Sequence, residues 1–276
     1  MPELPEVETI VRRLRPLLSG QRITSVAVRW PRIVDRPAPD RMARELVGRT
    51  IQSVDRRSKF LLFDFSPLTM LVHLRMTGQF LYRPPGSDLA ADRHVHVVLG
   101  LSQGTLLYRD LRKFGRLYLV ADPSAVLGNL GPEPLGDAFT PGHLRQALSR
   151  RRRAIKPLLM EQSVVAGLGN IYVDESLWLA GIHPLRQASS LDRGETVRLH
   201  GAIRQVVAQA IANMGTTLRD YRDPHDLPGN NQTALAVYGR RDAPCRRCGE
   251  PVQKSTVNSR GTHYCPRCQP LPGVTA

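Results

Sequence analysis

The chain's four cysteines, Cys245, Cys248, Cys265 and Cys268, all lie near its C-terminal end. They form two C-x-x-C pairs with sixteen residues between them. Each pair can present two thiolates from one tight turn, and the spacer is long enough for a hairpin that brings the turns together around one ion. Two disulfides or a redox pair would use the same residues, but clustering in a chain without secretion features favours zinc. Four protein ligands leave no open coordination position, so one Zn2+ held there is structural. Arg246, Arg247, Arg260 and Arg267 surround the pairs. A rigid hairpin rich in guanidinium groups suits phosphate or groove contacts, although other zinc ribbons bind proteins.

The other end carries a different chemistry. The chain opens Met1-Pro2-Glu3-Leu4-Pro5-Glu6. The initiator methionine is normally removed before so small a residue as proline, which leaves a secondary amine. An α-amino group has a pKa of about 7.7–8, so a fair fraction is free base at neutral pH. The positive end of a following helix disfavours its protonation further. Such an amine can attack an aldehyde-like carbon to give an iminium, with Glu3 beside it to move protons. Arginine supplies nearly all of the 39 basic residues; the lysines are Lys59, Lys113, Lys156 and Lys254. A lysine in such a background hints at a site that wants a compact, titratable ammonium.

The net charge of +15 suits a partner with many phosphates and predicts salt-sensitive binding. With 41% hydrophobic and 23% charged residues, this is ordinary globular material. No apolar run reaches the ~20 residues of a membrane span. Early Glu3, Glu6 and Glu8 do not fit a secretion signal, so a cytoplasmic location away from membranes is expected.

These groups need elements to hold them. Val7, Ile10, Val11, Leu14, Leu17 and Leu18 follow the spacing of one buried helical face, with Pro5 in the first turn and Gly20 past the end. From about 22 to 121 the pattern turns to short strands rich in branched residues, such as SKFLLFDF, TMLVHLRM and HVHVVLGL. They predict an antiparallel sandwich or barrel with the first helix packed on it. GNLGPEPLGD at 128–137 reads as a boundary. Helical patterns follow in HLRQAL, IKPLLMEQ and NIYVDESLWLAG. A long helix then carries Ile203, Val207 and Ala210 on one face and an Asp192/Glu195 capping box at its start. The stretch 215–232 lacks periodicity and reads as a mobile, functional loop. The expected class is α+β: a sandwich domain at 1–130, a helical domain at 131–235, a zinc ribbon at 236–270 and a tail at 271–276. The ribbon is too small to fold around an apolar core alone and needs its metal.

MPELPEVET at the start, RDLRKFG at 109–115, GLGNIYVDE at 167–175, VYGR at 237–240 and the four-cysteine ribbon occur in one order. Together, over essentially the whole chain, they resemble the formamidopyrimidine-DNA glycosylases, bifunctional glycosylases and abasic-site lyases of damaged double-stranded DNA. The resemblance implies that Pro2 is the nucleophile at C1′ of a deoxyribose, Glu3 the general acid/base and Lys59 an essential lysine beside them. An enzyme of this kind must extrude its target nucleotide and fill the space left behind. The resemblance assigns that filling to Met76, Arg112 and Phe114: two apolar wedges and a guanidinium able to bond the widowed base. Read without it, Met76 and Phe114 are equally sandwich core. Further contacts implied are Asn170 and Arg260 as phosphate clamps, Tyr238 supporting the same surface, Lys156 at the damaged base or nearby phosphates, and His94 on DNA. The helical segment is then a helix-two-turn-helix element that, with the ribbon, grips the duplex, and the protein acts as a monomer.

Three positions depart from the pattern. Arg75 stands where glycine is usual before the methionine, and Leu111 and Lys113 replace a common proline and arginine. A related endonuclease VIII type would prefer oxidised pyrimidines, but it has glycine where this chain has Leu4. A non-catalytic zinc-ribbon regulator would explain the charge and cysteines and leave Pro2, Glu3 and Lys59 without a role.

Overall fold

A computed structural model describes residues 1–87 and 92–272. From residue 273 onward, the expected tail lies outside the described residues. The chain divides into two compact units: residues 1–128 with 213–230, and residues 129–212 with 231–276.

The first unit opens with α1 (Leu4–Leu18), whose Val7, Ile10, Val11, Leu14 and Leu18 are buried as their spacing requires. Two sheets follow. One is ordered β1 (Ile23–Val28), β7 (Val95–Leu101), β8 (Thr105–Asp110), β6 (Gly78–Arg83), all antiparallel. The other is ordered β2 (Val34–Arg36), β9 (Arg116–Val120), β5 (Thr69–His73), β4 (Phe60–Asp64), β3 (Ser53–Arg57). It is antiparallel except for the β2–β9 pair. One core joins α1 and both sheets, with Phe63, Phe80 and Tyr108 in edge-to-face contact at 5.4 and 5.3 Å. A helix α2 (Pro39–Leu46), not anticipated from the sequence, buries Met42 and Leu46 one turn apart.

The segment 213–230 returns to this unit, where the sequence placed it with the helical domain. It forms neither helix nor strand, yet it is well bonded. Pro224 O accepts from Tyr82 N (3.2 Å) on β6, and Asp223 Oδ1 accepts from His225 N and Leu227 N (both 2.9 Å).

The second unit follows the short α3 (Ser124–Leu127) and contains α4 (Pro141–Ser149), α5 (Ile155–Leu159), α6 (Asn170–Ala180) and α7 (Arg193–Ala212). At the start of α7, Asp192 N donates to Glu195 and Glu195 N donates to Asp192, the reciprocal capping box read from the sequence. The hairpin β10 (Gln253–Val257) and β11 (Arg260–Tyr264) turns on Asn258 and Ser259, both left-handed. The cysteine ribbon falls in the same compact unit as these helices.

Candidate active site and nucleic-acid interface

In the first unit, Pro2 and Glu3 are buried at the N-terminal end of α1. Glu3 caps the helix, and the Glu6 carboxylate accepts from Glu3 N (2.7 Å) through one oxygen and from Thr216 N (2.7 Å) through the other. Glu6 therefore fixes the backbone of the candidate acid/base and the 213–230 segment at once. In the sequence Glu6 stood out only as an early acid that does not fit a secretion signal. Lys59 sits in the two-residue β3–β4 turn, where Ser58 is left-handed (φ +57°), and is 5% exposed. It is no solvent lysine. The hairpin is tied to α1 by Arg56 Nε to Glu8 (2.6 Å) and by Arg15 Nε to Val54 O (2.8 Å). Burial works to raise the pKa of Glu8, but the hydrogen bonds and charges of Arg12 and Arg56 outweigh it and hold the carboxyl below its usual range.

His73, at the end of β5, has its pKa pushed down to about 3, first by burial and then by the charges of Arg75 and Lys59. It is neutral at physiological pH. Its Nδ1 accepts from Arg75 N (3.0 Å), which places the ring proton on Nε2. Met1, Arg75, Met76, Phe114 and Arg116 line a cleft of 360 Å³ beside the N terminus.

The structure takes Met76 and Phe114 out of the core: they are 37% and 47% exposed. The Arg112 guanidinium lies 4.6 Å above the Phe114 ring. These side chains come from two turns, β5–β6 and β8–β9, joined by the fully buried Asp110. Asp110 Oδ1 accepts from Thr77 Oγ1 (2.5 Å) and Arg112 N (3.1 Å), and Oδ2 accepts from Gly115 N (2.8 Å). Gly78 and Gly115 crowd the Tyr108 hydroxyl so closely that a Cβ would lie 2.5 and 1.7 Å from it, so neither turn accepts a larger residue. Asp110 and Thr77 carried no signal in the sequence beyond a motif letter. Half-buried His94 contributes its carbonyl to Asp110 N (2.9 Å). A second, polar pocket of 420 Å³ is lined by Gln79, Arg109, Arg219, Asp220 and Arg222 among others.

In the second unit, α6 is the organising element. Gly167 takes φ +96°, a conformation closed to most residues, and the chain then enters the helix at Asn170. Asn170 Nδ2 donates to Gly261 O (2.9 Å) on β11 and lies 3.4 Å from Tyr238 Oη. Asp174 accepts from His263 N (2.9 Å). Glu175 accepts from the backbone of Ala236, Val237 and Tyr238 at 2.8–2.9 Å. Burial nonetheless raises the pKa of Glu175. Arg260 follows the hairpin turn and is exposed.

Lys156 does not sit where the sequence reading put it. It has no accessible surface, and its ammonium pairs with Asp174 (2.7 Å) and donates to Gly261 O (3.0 Å) and Thr262 Oγ1 (2.8 Å). No base or phosphate reaches such a group. It supports the hairpin that carries Arg260.

The four cysteine Sγ atoms lie within 4.8 Å of one another, with Cys245–Cys268 at 3.9 Å and Cys248–Cys265 at 3.5 Å. Tetrahedral zinc with bonds of about 2.3 Å sets its sulfurs about 3.8 Å apart, whereas a disulfide needs about 2.05 Å. The thiols fit one zinc ion.

A sandwich whose first helix opens on a buried Pro2–Glu3 pair, followed by a helical unit bearing a four-thiol ribbon, defines a class of zinc-ribbon enzymes acting on nucleic acid. Three family models match in order: the formamidopyrimidine-DNA glycosylase N-terminal domain over residues 1–117, the H2TH domain of the same family over 130–222, and the zinc finger found in FPG and IleRS over 243–271. A formamidopyrimidine-DNA glycosylase of Herpetosiphon aurantiacus is 49% identical, covering 98% of this chain and 100% of its own. That of Bacillus subtilis is 45% identical, over 98% and 99%. Among solved structures, an FPG mutant of Lactococcus lactis in complex with Fapy-dG-containing DNA superposes with TM-score 0.92 at 38% identity, over 98% and 100% of the chains. The MutM (FPG) protein of Thermus thermophilus gives 0.88 at 44%, over 97% and 98%. The chain belongs to the formamidopyrimidine-DNA glycosylase family.

Proposed function

We propose that the protein excises oxidised purines, 8-oxoguanine and formamidopyrimidines, from duplex DNA and cleaves the resulting abasic site through an iminium on Pro2. The observation that carries this reading is the buried Pro2–Glu3 start of a capped helix to which the hairpin bearing buried Lys59 is tied, with Met1 lining the cleft of Met76 and Phe114. Removal of Met1 frees the Pro2 nitrogen at that cleft. The amine attacks C1′, the glycosidic bond breaks, and the base leaves with the bonding electrons and takes up a proton. Glu3 moves protons at the sugar. Loss of a C2′ proton from the iminium expels the 3′-phosphate, and a second elimination expels the 5′-phosphate. Lys59 supplies an ammonium toward the departing oxygens, and water then releases Pro2. A one-nucleoside gap with phosphate ends remains.

Met76, Arg112 and Phe114 fill the space of the extruded nucleotide, while Asn170 and Arg260 hold phosphates with Tyr238 and His94 behind the contact surface. The zinc on Cys245, Cys248, Cys265 and Cys268 supplies structure: four thiolates leave it no open position. No helix among the described residues is long and apolar enough to cross a membrane. We take the protein to work as a cytoplasmic monomer.

Borohydride trapping on an 8-oxoguanine duplex tests the reading, with a thymine-glycol duplex in parallel and Pro2→Gly as control. An adduct on the oxoguanine duplex that maps to the N-terminal peptide is expected. An adduct on thymine glycol alone would move the substrate to pyrimidines, and none on either duplex despite tight binding would remove the lyase chemistry.

A further inference from the structure

We infer that Trp178 and Arg247 form an outer shell of the zinc site that holds the metal by tempering the charge on Cys245. Four thiolates carry more negative charge than one divalent ion neutralises, so donors aimed at sulfur decide how firmly the set is kept. Each C-x-x-C turn gives one backbone donor to its first cysteine: Arg247 N to Cys245 Sγ and Cys268 N to Cys265 Sγ, both 3.4 Å. Cys245 receives a further one. The Trp178 indole Nε1 donates to Cys245 Sγ at 3.4 Å, and Trp178 packs against the ribbon's apolar cluster of Val237, Val252 and the cysteines.

Arg247 fixes that indole from its other side. Its guanidinium carbon lies 4.4 Å from the ring centroid, and Nη2 donates to Leu179 O (3.2 Å) near the C-terminal end of α6, where a cation also suits the helix dipole. The ring is therefore held by a cation on its face while its N–H meets a thiolate. The same helix begins at Asn170 and carries Asp174 and Glu175, so the indole bond and the bond to Leu179 O end a row of attachments between α6 and the ribbon with its flanking segments. Trp178 and Arg247 act through Cys245 and are positioning residues.

The test uses the zinc-loaded full-length protein and an excess of a metallochromic chelator, with Trp178→Phe and Arg247→Ala, and with Trp30→Phe as a control, a tryptophan packed on the core of the first unit. Outer-shell groups typically change metal affinity 10–100-fold, so Trp178→Phe should release zinc about tenfold faster. Arg247→Ala should release it about threefold faster, the scale of a partly exposed cation–π contact. Trp30→Phe should match the wild type. Cobalt substitution supplies a signature that packing alone does not move. A hydrogen bond lowers the sulfur lone pair, so its loss in Trp178→Phe should shift the thiolate-to-cobalt charge-transfer band to longer wavelength. Unchanged release would overturn the proposal, as would faster release with the band unmoved, which makes the indole mere packing. Wild-type protein that binds no zinc at all would instead refute the zinc assignment on which the proposal rests. Should Trp178→Phe not fold, release and band position in Arg247→Ala decide alone.

Discussion

Lys156 and Asp174 have no accessible surface, and their charges meet at 2.7 Å. Lys156 pairs with Asp174 Oδ1 and donates to Gly261 O and Thr262 Oγ1, and Asp174 Oδ2 accepts from His263 N. Replacing the lysine alone, as Lys156→Met, strands a carboxylate and two acceptors away from water. Breaking a buried pair from one side costs about 3–5 kcal/mol, far more than the pair itself contributes over an apolar substitute. Asp174→Asn strands the ammonium and should cost a similar amount. Removing both charges in Lys156→Met/Asp174→Asn abolishes the stranded charge, so the double variant should cost less than either single one, and therefore at least about 3 kcal/mol less than their sum. Hydrogen exchange at residues 253–264 reads the local opening of the hairpin. Either single variant should speed it by about two to three and a half orders of magnitude, since 1.4 kcal/mol is roughly tenfold, and the double variant should restore most of the protection. Salt-dependent binding to an abasic-site duplex should follow the same order if the hairpin presents Arg260 to a phosphate. Additive single effects, or exchange that stays fast in the double variant, would refute the assignment of Lys156 as a support.

Asp110→Asn leaves at least one of Arg112 N and Gly115 N facing an amide NH2, so it should cost about 1–3 kcal/mol and slow base excision, checked by thermal unfolding and single-turnover kinetics. Met76→Ala and Phe114→Ala remove exposed side chains, so unfolding should move by no more than about 0.5 kcal/mol while excision from duplex DNA falls; a large loss of stability would return them to the core. For His73, the folded pKa of about 3 lies below the ordinary 6.5, so only the unfolded chain takes up its proton between these values. Stability should be complete above pH 6.5 and fall as pH drops toward 3, by about 2 kcal/mol between 6.5 and 5. Urea midpoints should show a shallower decline in His73→Gln.

The first helix, most strands, the capping box of α7 and the metal hairpin were legible because their signals are local: periodicity, reciprocal acid pairs and cysteine spacing. Helix α2 was not, since eight residues with only Met42 and Leu46 buried give too little periodicity. Lys156 misled for a different reason. A buried and a surface lysine look alike in sequence, and its partner Asp174 lies eighteen positions away on another helix. The same holds for Glu6, whose second acceptor oxygen is claimed by Thr216, more than two hundred residues downstream. Such pairings fix which side chains support and which act, and no window along the chain contains both members.

The candidate tools share one backbone device. Left-handed Ser58 precedes Lys59, left-handed Arg75 precedes Met76, and Lys113 separates Arg112 from Phe114. Asn258 and Ser259 precede Arg260. Of eight non-glycine residues with positive φ among those described, four stand beside a proposed catalytic or DNA-contacting side chain, and Asn258 lies one position further off. In the β3–β4 and β10–β11 hairpins such residues let the strand reverse within two positions, and in the links from β5 to β6 and from β8 to β9 they turn the chain from one sheet into the other. The cost is about 1–2 kcal/mol per residue for anything but glycine, and it persists only where the surroundings over-determine the turn. Here they do, through the paired strands on either side and, for the wedge, through Asp110. Glycine would remove the strain and also the stiffness, because it widens the set of turn conformations. A side chain that must enter a base stack or meet a phosphate gains more from a fixed position than the turn loses in strain, which accounts for cations and wedges mounted on strained turns instead of on longer, freer loops.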